Sequence, residues 1–179
     1  MTYPVFASGD VLNASDMNAV GLWLVKTQTI GTAVSSVTVT GAFSADYDNY
    51  KITAVGGTQS TGGNIALTLG SAATGYYYSM LYVDYAAPAA ASPLRAQNVA
   101  SFAYAGSGNQ GLSVDVDLQN PFATTRTNLR ALVAQNKTDG FAAFQNGFLN
   151  DATSYTAFTL TISSGTMTGG TVRVYGYRN

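Results

Sequence analysis

Residues 112–119 read LSVDVDLQ, and the alternation of apolar and acidic side chains in this stretch decides the fold class. Successive side chains in a strand point to opposite faces, so Val114, Val116 and Leu118 belong to a buried face while Asp115 and Asp117 belong to a solvated one. The same period of two recurs along the chain in WLVKTQT (23–29), SVTVTG (36–41), YKITAVG (50–56), NIALTLG (64–70), YYYSMLYV (76–83), SFAYAG (101–106), NLRALVAQ (128–135), FAAFQN (141–146), AFTLTIS (157–163) and GTVRVYGY (170–177). Between these runs lie Gly56-Gly57, Thr61-Gly62-Gly63, Ser107-Gly108-Asn109, Asn120-Pro121, Asp139-Gly140 and Thr168-Gly169-Gly170, whose residues tolerate positive φ or set a bend. Short strands at such intervals, with no helices between them, predict an all-β fold, an antiparallel β-sandwich of jelly-roll type. The Gly-rich GGTQSTGGN (56–64) lacks the Lys of a phosphate loop and opens no helix, so it reads as hairpin turn.

Two segments leave this rhythm. YAAPAAASPLRAQN (85–98) holds two of the four prolines and a run of alanines, which excludes a central strand and predicts a long surface loop. FASGDVLNASDMNAV (6–20) carries helix punctuation: Asn13 can cap, Asp16 sits near the positive end, and Gly21 supplies the stop. A helix of about two turns over 14–20 follows, too short to hold alone in water, so it needs a partner surface. The predicted organisation is an anchoring arm over residues 1–22 and a sandwich over 23–179. Phe6, Val11, Leu12, Met17 and Val20 are the predicted docking residues.

Charged residues make up 9% of the 179-residue chain, and the nine acidic residues are all Asp. A surface this neutral can be buried against copies of itself without stranding ions. There is no His and no Cys, which removes Ser-His-Asp and Cys-His catalysis, the usual zinc sites and disulfides. Net charge of −1 gives no footprint for nucleic acid, no apolar run approaches the roughly 20 residues of a membrane helix, and MTYPVFASGD has no secretory pattern. The expectation is a protein without cofactor or metal. Asp115 and Asp117 lie about 6–7 Å apart at Cα, a spacing that overlaps glycosidase geometry, but nothing nearby in sequence builds the apolar pocket of a general acid. ADYDNY (45–50) lacks the Gly and the twelfth-position Glu of a calcium loop and reads as a turn before a strand. In the tyrosine-rich run, Tyr76, Tyr78, Met80 and Tyr82 share one face; Tyr77, Leu81, Val83 and Tyr85 share the other. Tyr77, Tyr82 and Tyr85 are the candidate contacts for a glycan or a neighbouring subunit.

Taken in order, three stretches resemble a known family. FASGDVLNASDMNAV is similar to the N-terminal G-x-x-L-x-A-x-D-x-N segment of many tailed-bacteriophage fibre-like and appendage proteins, matched here by Gly9, Leu12, Ala14, Asp16 and Asn18. VKTQTIGTAVSSVTVTGAFSADYDNYKI and SSGTMTGGTVRVYGYRN resemble the opening and closing strands of small phage virion proteins, through Asp48, Asn49, Tyr50 and Ile52, and through Gly169, Gly170, Tyr175 and Gly176. The resemblance implies a non-enzymatic structural protein of a virion, assembled in the host cytoplasm, homotrimeric and fixed by its N-terminal arm to other virion proteins. Its place is a tail fibre or appendage whose distal loops meet host-surface glycans; the alternative is capsid decoration, docked on the major capsid protein. Neither nucleic acid nor membrane is an expected partner.

Overall fold

A computed structural model describes residues 8, 9, 11, 21–86, 92–108, 110–137 and 139–177. Among them no helix occurs, and fourteen strands form an all-β fold built on one large antiparallel sheet. The predicted helix over 14–20 lies outside the described residues, as do Phe6, Leu12, Met17 and Val20. The strands are β1 (Leu22–Thr29), β2 (Ser36–Val39), β3 (Asn49–Gly56), β4 (Thr58–Gln59), β5 (Gly63–Leu69), β6 (Tyr76–Asp84), β7 (Ser92–Val99), β8 (Phe102–Gly108), β9 (Leu112–Gln119), β10 (Thr127–Ala134), β11 (Phe141–Leu149), β12 (Phe158–Ile162), β13 (Met167–Thr168) and β14 (Thr171–Tyr177).

The sheet forks at β9. One edge of β9 pairs with β3 along its whole length, while the other edge pairs with β8 over Leu112–Val114 and with β10 over Val116–Gln119. One limb runs β1-β14-β3-β9-β10-β11-β6-β7 and the other β2-β12-β5-β8. Their inward residues form a single core in which Ile52, Val116, Leu118, Leu129 and Val174 of the first limb join Val39, Ile65, Leu67, Phe158 and Leu160 of the second. That arrangement is consistent with a β-sandwich. Alternation carries the burial: β9 and β10 bury every second side chain, and Val114, Val116 and Leu118 point inward. The limbs are also tied by a polar link. At the bulge in the β5–β8 pairing the Tyr104 backbone N–H donates to Oε1 of the fully buried Gln145 on β11, 3.1 Å away.

Two expectations are corrected. The stretch read as a long loop contains β7, an edge strand that among the described residues pairs only with β6. Pro93 is accommodated because an edge strand need not donate every N–H to a neighbour. The Gly-rich 56–64 segment is no hairpin turn but a corner, carrying the chain from β3 in one limb to β5 in the other, with β4 inside it. A second corner at 163–170 returns the chain from β12 to β14, and the two corners are laced by the β4–β13 pairing. They cross so closely that a Cβ on Gly170, at φ +90°, would lie 2.6 Å from the Gly56 carbonyl oxygen. Only glycine supplies both that φ and that clearance.

Candidate functional site

The outer face of β10, β11, β6 and β7 holds the largest exposed apolar side chains that share a register. Leu132 on β10 pairs with Phe144 on β11, Phe144 with Leu81 on β6, and Leu81 with Pro93 on β7. Leu132, Phe144 and Leu81 are 57%, 46% and 53% exposed, and Val83 and Tyr85 continue the patch beyond them. Exposed apolar side chains gathered on one face in this way form a candidate contact surface.

Two residues along the strands, the matching row is polar, with its two small side chains at the centre. Arg130 pairs with Asn146, Asn146 with Ser79, and Ser79 with Arg95. The row beyond it is bulky again: Tyr77 and Phe148 pair across the strands with their rings stacked at 5.1 Å and 2° between planes, and the Arg126 guanidinium lies 5.5 Å from the Phe148 centroid. Small side chains between two rows of large ones leave a trough. It appears as two adjoining cavities of about 460 and 500 Å³ that share Ser79, Arg95 and Asn146.

The three tyrosines singled out from the sequence do not meet in one place. Tyr77 is half-buried beside the trough and Tyr85 is exposed at the end of the patch. Tyr82 points to the opposite face, where its ring stands edge-on to Phe141 at 5.8 Å. Val11, the one docking residue among those described, is 78% exposed. Phe144, Phe148, Leu132, Arg95 and Arg130 were missed as site residues. Their outward positions follow from alternation, but their assembly into rows follows only from the strand pairing.

Asp115 and Asp117 do share an outward face, and Lys51 of β3 binds both. Its Nζ is ion-paired with Asp115 Oδ1 and lies 3.5 Å from Asp117 Oδ2, while the Tyr177 hydroxyl donates to Asp117 Oδ1 at 2.9 Å. Burial alone would lower the Lys51 ammonium, but the hydrogen bond to Asp115 and the charges of Asp117 and Asp115 outweigh it and hold the group above its usual value. Burial, together with the bond to Asp117, pushes the Tyr177 hydroxyl up. The two carboxylates are 42% and 41% exposed, so no apolar wall closes over either of them as a glycosidase acid requires. Asp46, in the loop read as a turn, accepts the Ser44 hydroxyl at 2.9 Å just before β3 begins.

Compared with known proteins, the chain matches no family model, and no curated protein or solved structure matches it significantly.

Proposed function

We propose that this chain is a non-enzymatic structural protein of a tailed-bacteriophage virion, of fibre or tail-appendage type, held by its N-terminal arm and assembled as a homotrimer. One observation carries the self-association: strands β2, β12, β5 and β8 contain no charged residue. The outward side chains of β2, β12 and β5 are hydroxyls, an amide and a methyl, in register as Ser36–Thr161–Ala66 and Thr38–Thr159–Thr68, with the Thr38 and Thr159 hydroxyls 2.9 Å apart. Packing this limb against another copy strands no ion, and hydroxyls can exchange partners across the contact. The exposed, Lys-bound carboxylate pair supports the non-enzymatic half of the reading.

A jelly-roll winding is supported by nested pairing. β1 pairs with β14, β4 with β13, β5 with β12 and β6 with β11, the pattern of one long hairpin rolled up. The arm is supported by the likeness of residues 6–20 to phage anchor segments and by its apolar residues at helical spacing.

Deleting residues 1–20 tests the arm. The expected result is a folded oligomer with unchanged unfolding behaviour that no longer enters particles, scored by immunoblotting of purified virions. Normal incorporation of the shortened chain would contradict the proposal. Imaging the labelled full chain on particles then separates a few copies at the tail from copies spread over the head, the latter moving the assignment to capsid decoration.

A further inference from the structure

The trough on the outer face of β10-β11-β6-β7 has a chemical character that the assembly reading leaves unused. Its floor is Ser79 and Asn146, Arg95 lines it at the β7 end, Arg130 continues the same row on β10 just outside the cavities, where its cross-strand neighbour is Asp117, and one side is walled by the Tyr77–Phe148 stack. Neither Arg95 nor Arg130 makes an ion pair with any described residue; the described ion pairs are those of Lys51 and Lys137. Three strand intervals separate the two Arg positions, roughly 14 Å at Cα, within reach of two groups on one extended ligand.

We infer that this trough binds an acidic polysaccharide, with Arg95 and Arg130 each taking a carboxylate and Ser79 and Asn146 bonding the sugar hydroxyls between them. Guanidinium groups recognise carboxylates by two parallel hydrogen bonds, and a hydroxyl with an amide can both donate to and accept from a sugar. An extended acidic peptide fits less well. Peptides of that kind pair with free backbone at a sheet edge, whereas Ser79 and Asn146 sit on strands flanked on both sides. A second copy of the same face is disfavoured because it would set Arg against Arg. The inference rests on the outward presentation proposed above and gives it a ligand class.

The test uses the full chain and two probes of equal length, an oligogalacturonate and its methyl ester, with binding read by calorimetry. Oligogalacturonate is expected to bind at least about tenfold more tightly than the ester, and Arg95→Gln and Arg130→Gln each to weaken it by about tenfold, the scale of one charge-assisted hydrogen bond. Ser79→Trp, which fills the trough from a solvent-facing position, is expected to abolish binding while leaving the oligomeric mass unchanged. Equal binding of acid and ester, equal binding of a polyglutamate of matched charge, or Arg variants that bind normally would overturn the inference. So would a change of oligomeric mass in Ser79→Trp, which would make the trough a subunit contact. Incorporation into particles separates this inference from the reading beneath it. Wild-type chain that enters virions but binds no oligogalacturonate sinks the trough alone, whereas binding by a chain that never enters virions sinks the structural role alone.

Discussion

Phe158→Ala is expected to cost about 3–5 kcal/mol of folding stability, the range for removing a large aromatic from a packed core. Phe158 is fully buried on β12, in register with Val39 and Leu69, and its ring stacks on Phe43 at 5.7 Å. Phe43 in turn stands edge-on to Tyr50 at 4.9 Å, and the Tyr50 hydroxyl both accepts from the Ser44 N–H and donates to the Ser44 carbonyl. The ring therefore supports the segment between β2 and β3 as well as the core between the limbs. A domain of this size has only about 5–15 kcal/mol in hand, so the midpoint of thermal unfolding should fall by about 6–20 °C. The outward substitution Asn128→Ala, at an exposed position of β10 away from the limb that holds β12, should change stability by less than about 1 kcal/mol. Chemical denaturation of both variants at one protein concentration checks the contrast, since an oligomer's apparent stability depends on concentration. Equal losses would mean that the core does not run between β12 and the β2–β3 segment.

Gly147→Val should be nearly as damaging for the opposite reason. Glycine inside a strand is a local weakness, yet β11 has one facing inward. A Cβ there would press on the Tyr77 carbonyl oxygen and lie 2.8 Å from Tyr78 Cβ and 2.9 Å from Phe102 Cε1. Phe102 is fully buried and edge-on to Tyr76 at 4.8 Å, and the Tyr76 hydroxyl accepts the Leu69 N–H at 2.7 Å. The ring cannot withdraw without disturbing Tyr76, whose hydroxyl burial already pushes up to about 12. The added side chain must therefore part β11 from β6 or displace Phe102, at a cost of about 3 kcal/mol or more, the upper end of overpacking. The nearest neighbour of a Cβ on Gly111 is the Asn136 side chain at 3.5 Å, so Gly111→Ala serves as the tolerated control. A Gly147→Val protein with the parent's urea midpoint would show that Phe102 does not cover this strand.

The strands themselves were legible because burial on one face imposes a period of two, and LSVDVDLQ, NIALTLG and NLRALVAQ carry it without interruption. Corners were not, because Gly56-Gly57 and Thr168-Gly169-Gly170 give the same turn signal whether the chain doubles back or crosses to another limb. The edge strand β7 was hidden by Pro93 and the alanines before it, although SPLRAQNV alternates between half-buried and exposed positions over most of its length. The candidate site was the least legible part. Tyr77 drew attention by its aromatic neighbours, but Ser79, Arg95, Arg130 and Asn146 are unremarkable until pairing sets them in one row. Asp115 and Asp117 were placed correctly on one face, while their shared partner Lys51 lies 64 residues away from the nearer of them and only the β3–β9 register joins them.

Sedimentation equilibrium of the full chain at micromolar concentration tests the self-association at the centre of this account. A trimer is expected, and Thr38→Lys with Thr159→Lys, which puts charges on the neutral limb, should dissociate it into folded monomers. A wild-type protein that sediments as a single chain, or a trimer indifferent to those two lysines, would contradict it.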